Sequence, residues 1–94
     1  MAGARKHVII KGRVQGVFFR ANLQEKAYEY NITGWVTNNY DGCVEAVFEG
    51  ENENVEKIVK WCHRGSRGAV VTEVQVNDEE YTDSFSTFSI KYHW

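Results

Sequence analysis

Hydrophobic and polar positions follow two different periods along this chain. Around Val55 and Ile58 the apolar residues recur every three or four positions, which is typical of a helix with one buried face. Residues 43–49 and 69–76 instead alternate at every second position, as strands with one buried face do. The chain therefore combines helices and strands that bury one side each against a shared core.

These patterns, with turn residues between them, predict five strands and two helices. The predicted strands span residues 6–14, 33–39, 43–49, 69–76 and 85–92. The first predicted helix spans residues 21–30, and the second lies between an N-cap at Asn52 and a stop at Gly65. The order strand, helix, strand, strand, helix, strand with one terminal strand is the split βαβ, or ferredoxin-like (βαββαβ), pattern. We expect an α+β fold, in which two helices pack on one face of an antiparallel sheet of four to five strands.

This topology predicts that two distant segments meet. A right-handed crossover leaves the first two strands parallel, and in the split pattern another strand lies between them. Their carboxyl ends then share one edge of the sheet, about 9–10 Å apart at roughly 4.8 Å per strand spacing. The segment 15–20 follows the first strand and Asn38 ends the second, so Arg20 and Asn38 are expected to share a pocket.

Residues 12–20 carry the candidate chemistry and read Gly-Arg-Val-Gln-Gly-Val-Phe-Phe-Arg. A glycine-flanked loop between a strand and a helix can direct several backbone N–H groups at one anion, and the helix dipole adds positive potential there. The guanidinium of Arg20 can bind two phosphate oxygens at once. The loop therefore predicts a site for a small oxyanion.

The same nonapeptide closely resembles the signature loop of the acylphosphatase family. A second stretch, residues 34–45 with the sequence Gly-Trp-Val-Thr-Asn-Asn-Tyr-Asp-Gly-Cys-Val-Glu, resembles the other family signature. The resemblance extends from about Lys6 to Tyr92. It implies an enzyme that hydrolyses the carboxyl-phosphate bond of acyl phosphates, in which Arg20 binds the phosphoryl group and Asn38 positions the attacking water.

The implied chemistry needs positioning and charge stabilisation more than reactive groups, because an acyl phosphate already has a good leaving group. We expect neither a metal nor an organic cofactor, and His7, His63 and His93 lack metal-ligand spacing. Inorganic phosphate or sulfate should compete with the substrate. The phosphoryl group is expected to be bound mainly by backbone N–H groups of Gln15, Gly16, Val17, Phe18, Phe19 and Arg20, with the Gln15 side chain only a loop residue.

Size and composition are those of one small domain comprising residues 1–94, with residues 1–5 loose. The net charge of −2 argues against a nucleic-acid or membrane partner. No apolar run approaches the roughly 20 residues of a membrane helix, and the first residues lack the apolar part of a signal peptide. Two cysteines are too few for a disulfide scaffold. These features predict a cytoplasmic monomer that acts on a small molecule.

Two other classes of function remain open. An RNA-recognition domain has the same strand order but presents aromatic residues on its exposed strand faces, whereas the predicted exposed face of residues 43–49 is acidic. The other alternative is a non-catalytic module that senses an anion or another ligand, since a fold does not determine a function.

The chain departs from the usual family pattern at three positions. Asn39 and Cys43 stand where the family often has threonines, whose hydroxyls could hold the side chain of Asn38. The sequence therefore leaves open which groups hold Asn38 in this chain. Ser66 stands where the family commonly has proline, in a loop expected to lie away from the chemistry and to have no effect on activity. Whether Trp94 covers part of the site is also open.

Overall fold

The five strands form one sheet, and both helices pack against it. The computed structural model describes residues 2–92, so His93 and the question about Trp94 lie outside the described residues. Strand β1 spans Gly3–Arg13, β2 Thr33–Asn38, β3 Val44–Glu51, β4 Val70–Glu79 and β5 Phe88–Lys91; helix α1 spans Phe19–Glu29 and α2 Asn52–Arg64. The strand order across the sheet is β4-β1-β3-β2-β5.

The pairing of the strands confirms the ferredoxin-like prediction. Strands β1 and β2 both pair antiparallel with β3, which lies between them, so they run parallel to each other. The sheet is nevertheless mixed, because β5 pairs in parallel with β2. Strand β5 lies at the edge opposite β4, and residues 80–87 must therefore cross a distance of about 19 Å, or four strand spacings. Eight extended residues can reach about 26 Å, which is enough for this crossing.

The start of the chain differs from its prediction. Residues 3–5 are not loose but belong to β1, where Gly3 pairs with Glu51 and Arg5 pairs with Glu49. Strands β3 and β4 extend two and three residues beyond their predicted ends, and they supply hydrogen-bonding partners on both sides of Arg5. The predicted flexibility is therefore wrong for these residues.

The helices and one face of the sheet enclose the apolar core. On the sheet, Val8, Ala46 and Phe48 are fully buried, and Phe19 of α1 packs against Trp61 of α2 with 5.3 Å between ring centroids. The other fully buried core side chains are those of Ile10, Leu23, Ala27, Val36, Val44, Val55, Ile58 and Cys62. This packing confirms the apolar faces that the sequence patterns predict for β3 and α2.

The outer face of β3 is not exposed as the sequence suggests. Val47 and Glu49 are both buried, and the two carboxylate oxygens of Glu49 accept hydrogen bonds from the backbone N–H groups of Thr82 at 2.8 Å and Ser84 at 3.2 Å. Burial raises the pKa of Glu49, and the hydrogen bonds from residues 82–84 lower it by more, so the net shift is downward. The long connection between β4 and β5 is thus anchored to the centre of the sheet.

Candidate active site

The loop between β1 and α1 has an unusual backbone. Gly16 (φ +76°) and Phe18 (φ +58°) both have positive φ, whereas Val17 between them does not. Such alternation turns successive N–H groups towards one side and forms an anion-binding concavity. A Cβ at Gly16 would meet no atom within 4 Å, so glycine is favoured there by its backbone freedom and not by lack of space. Phe18 has strain on the order of 1–3 kcal/mol in this conformation.

Helix α1 begins directly after this loop, and no side chain of residues 2–92 caps its N-terminus. The side chain of Phe18, the residue before the helix, makes no capping hydrogen bond, and the first turn contains no acidic residue. The amide groups of that turn therefore keep their capacity to bind an anion, and the helix dipole adds positive potential. The backbone and side-chain amides of Asn22 both donate to the Phe18 carbonyl, at 3.0 and 2.9 Å, and hold the loop against the helix.

A cavity of about 270 Å³ lies where this loop meets the end of β2. Arg20 lines it from one side and Asn38 from the other, so the structure brings these two predicted site residues together. Both residues also line an adjoining cavity of about 320 Å³. The remaining lining of the first cavity is Val14, Gly16, Phe18, Phe19, Ala21, Ile90 and Tyr92.

Asn38, which lines this cavity, has a buried acceptor atom. Its Oδ1 is shielded from solvent and accepts no hydrogen bond from any residue between 2 and 92. Most buried side-chain polar atoms in proteins have at least one partner. The carboxamide oxygen of Asn38 therefore retains an unused capacity to accept a hydrogen bond beside the cavity.

Arg20 lies over an aromatic ring. Its guanidinium carbon is 5.0 Å from the centroid of Tyr92, and among the described residues no carboxylate lies within 4.0 Å of its nitrogens. The stacking restricts the orientation of the guanidinium without neutralising its charge. The sequence did not mark Tyr92 as a site residue, and the only available signal was its place at the end of the last predicted strand, on the same face as Phe88 and Ile90.

The other predicted loop residues have different environments. The Gln15 side chain is hydrogen-bonded through Nε2 to the carbonyls of Asn39 at 2.7 Å and Cys43 at 2.9 Å, which corrects its interpretation as only a loop residue. Val17 lines neither cavity, and its carbonyl accepts a hydrogen bond from Ser66 Oγ at 2.9 Å. The loop containing Ser66 therefore does not lie away from the candidate site as predicted, because it contacts the anion-binding loop directly.

Asn39 and Cys43, which stand where the family often has threonines, lie on the turn between β2 and β3. The side-chain amide of Asn39 donates to Glu45 Oε1 at 3.1 Å, and Glu45 Oε2 lies 2.6 Å from His7 Nε2. Burial, followed by interactions with Asp41, raises the pKa of the Cys43 thiol. A raised pKa keeps this thiol protonated at neutral pH, so Cys43 is poorly suited to act as a nucleophile.

Two kinds of feature are absent from residues 2–92. In this part of the chain no three His, Cys, Asp or Glu side chains are grouped so that they could hold a metal ion. No helix there has the length and apolar character needed to span a membrane.

Comparison with known proteins identifies the family. The family model described as Acylphosphatase matches residues 6–90. The acylphosphatase of Pelotomaculum thermopropionicum is 48% identical over 92 residues, which are 98% of this chain and 100% of that protein.

Solved structures give the same result. An acylphosphatase from Coxiella burnetii superposes with a TM-score of 0.90 at 36% identity, over 95% of this chain and 93% of that one. The acylphosphatase from Bacillus subtilis superposes with a TM-score of 0.91 at 35% identity, over 95% of this chain and 99% of that one. Sequence and structure thus agree over nearly the whole length, and the chain belongs to the acylphosphatase family.

Proposed function

We propose that the protein hydrolyses acyl phosphates in the cavity that Arg20 and Asn38 share. The observation that carries this proposal is the buried Oδ1 of Asn38, which has no hydrogen-bond partner among residues 2–92. Asn38 lines the same cavity as the Arg20 guanidinium and the uncapped N-terminus of α1. An acceptor for water and donors for a phosphoryl group are the two requirements of a hydrolytic phosphoryl transfer.

In the proposed reaction, water attacks phosphorus while the bond from phosphorus to the acyl oxygen breaks. The products are a carboxylate, inorganic phosphate and the proton released by the water. The N–H groups of residues 15–20 and the Arg20 guanidinium stabilise the charge on the phosphoryl oxygens. Asn38 accepts a hydrogen bond from the water and orients it without changing its own charge.

The scheme uses no metal, cofactor or nucleophilic side chain. The guanidinium and the amides that bind the phosphoryl group all come from the chain itself, and the leaving carboxylate needs no acid to protonate it. Inorganic phosphate and sulfate fit the same donors and should act as competitive inhibitors.

We further infer that residues 1–94 act as one monomeric domain in the cytoplasm, where the unpaired thiols of Cys43 and Cys62 would remain reduced.

The decisive experiment measures hydrolysis of benzoyl phosphate and acetyl phosphate in buffer containing EDTA, with the wild type beside Asn38→Ala. We expect turnover by the wild type in the presence of the chelator. Turnover by the variant should fall by roughly 100-fold or more, a loss comparable to that of one preorganised hydrogen-bonding group in an active site. The inhibition constant for phosphate should change little, because the phosphate-binding donors are intact.

Three outcomes would contradict parts of this proposal. Full turnover of Asn38→Ala would exclude the water-positioning role, and loss of wild-type activity in EDTA would exclude the metal-free scheme. Phosphate binding without hydrolysis of either substrate would instead indicate a non-catalytic anion-binding module.

A further inference from the structure

We propose that Gln15 is a positioning residue for this reaction, and that it holds Asn38 at a constant distance from the phosphate-binding loop. The inference rests on the proposed roles of Arg20 and Asn38. It assigns the Gln15 side chain a function separate from the backbone N–H groups of its loop.

The hydrogen bonds of Gln15 cross between the two halves of the site. Its side-chain amide is half-buried and donates both hydrogens, one to the carbonyl of Asn39 and one to the carbonyl of Cys43. These carbonyls lie at the two ends of the turn that follows Asn38, and the backbone N–H of Asn39 also donates to Cys43 at 2.8 Å. One planar carboxamide thus restrains both ends of the turn.

The backbone alone does not connect these two halves. The ladder between β1 and β3 ends at the pair Ile10 and Val44, and residues 11–13 pair only with β4 on the opposite side. The phosphate-binding loop therefore continues past the end of its ladder with β3. Strand β2, which positions Asn38, pairs with β3 and β5 and not with β1. Gln15 makes direct hydrogen bonds across this gap.

The consequence is kinetic. The phosphoryl group is bound by the loop, and the water is oriented by Asn38, so the distance between attacking oxygen and phosphorus depends on how the loop and turn are held together. Misplacement by about 1 Å can cost on the order of 100-fold in rate. Loss of the Gln15 donors should therefore lower kcat while the loop, with its own donors intact, still binds phosphate.

The test replaces Gln15 with methionine, which has a similar shape but no N–H donors, and with glutamate, whose carboxylate also cannot donate. We expect kcat for benzoyl phosphate to fall on the order of 10- to 100-fold in both variants, with the inhibition constant for phosphate within about threefold of the wild type's.

The matched control is Gln24→Met. The Gln24 side chain is also half-buried and donates to a backbone carbonyl, that of Phe88 at 3.0 Å, but it joins α1 to β5 and does not line either cavity. Both methionine variants should lower the melting temperature, whereas only Gln15→Met should lower kcat. Equal losses of kcat in the two variants would mean that Gln15 is merely structural.

A double-mutant cycle with Asn38→Ala separates this inference from the function on which it rests. If Gln15 acts through Asn38, then Gln15→Met causes little further loss of kcat in the Asn38→Ala background. The same fold-loss in both backgrounds would overturn the inference. Full turnover of Asn38→Ala would refute the proposed role of Asn38 and this inference with it, whereas an impaired Asn38→Ala beside a fully active Gln15→Met would refute the inference alone.

Discussion

Arg20 combines a restricted orientation with a charge that no carboxylate of residues 2–92 neutralises. A carboxylate partner would hold the guanidinium more strongly but would compete with a bound phosphoryl group for its donors. The Tyr92 ring, 5.0 Å away, contributes about 0.5–1 kcal/mol for a partly exposed pair and leaves the N–H groups at the edge of the guanidinium available. The contact with the Tyr92 ring therefore orients the guanidinium and leaves its N–H donors available to an anion.

At this scale we predict that Arg20→Lys weakens the inhibition by inorganic phosphate at least tenfold, because an ammonium group binds as a point charge and cannot reproduce the planar fork. Competitive inhibition of benzoyl phosphate hydrolysis measures this constant. The control is Arg64→Lys, an exposed residue of α2 outside both cavities, which should behave as the wild type. An unchanged inhibition constant in Arg20→Lys would contradict the role of the fork.

At the scale of elements, the phosphate-binding loop depends on the connection between α2 and β4. Ser66 in this connection is buried, and its hydroxyl donates to the carbonyl of Val17. Because a trans peptide points its C=O and N–H in opposite directions, this bond turns the N–H of Phe18 away from Ser66. The connection thus helps to orient the donors of a loop that lies 49 positions earlier in the chain.

We predict that Ser66→Ala lowers the free energy of unfolding by about 1 kcal/mol, since the carbonyl of half-buried Val17 loses its partner. The inhibition constant for phosphate should rise a few-fold, because the loop backbone becomes less restrained. Urea denaturation and phosphate inhibition measure the two effects, with exposed Ser86→Ala as the control. If Ser66→Ala matches the wild type in both measurements, the hydroxyl has no role in holding the loop.

At the scale of the whole molecule, the segment 80–87 joins the two edges of the sheet. It connects β4 to β5, and the end of β5 brings Ile90 and Tyr92 to the cavity. The segment is held by Glu49, whose buried carboxylate accepts hydrogen bonds from Thr82 and Ser84. One carboxylate at the centre of the sheet thus helps to place the last strand, and with it one wall of the site.

The lowered pKa of Glu49 predicts how stability depends on pH. A carboxyl with a lower pKa in the folded than in the unfolded state contributes stability above its ordinary pKa of 4.5, and loses that stability as the pH falls through the lower pKa of the folded state. Glu49→Gln should therefore lower the free energy of unfolding by about 1–3 kcal/mol near neutral pH. This difference in stability between the variant and the wild type should shrink in acid.

Urea denaturation between pH 7 and pH 3 measures this difference. The control is Glu51→Gln, an exposed residue at the end of the same strand, which should leave the pH dependence unchanged. A difference between Glu49→Gln and the wild type that stays constant over this range would show that the charge of Glu49 is not what anchors the segment.

The sequence by itself determined the order of the elements and the place of the anion-binding loop. The apolar period around Val55 and Ile58 and the alternation in β3 are local, and so are the glycine and arginine that flank the turn into α1. The tertiary structure alone decided which side chains hold that loop and the segment 80–87 in place. Gln15 contacts Asn39 across 24 positions and Glu49 contacts Thr82 across 33. These polar side chains bind backbone groups of remote segments, and such pairings leave no periodic pattern in the sequence because they form only when the sheet brings the segments together.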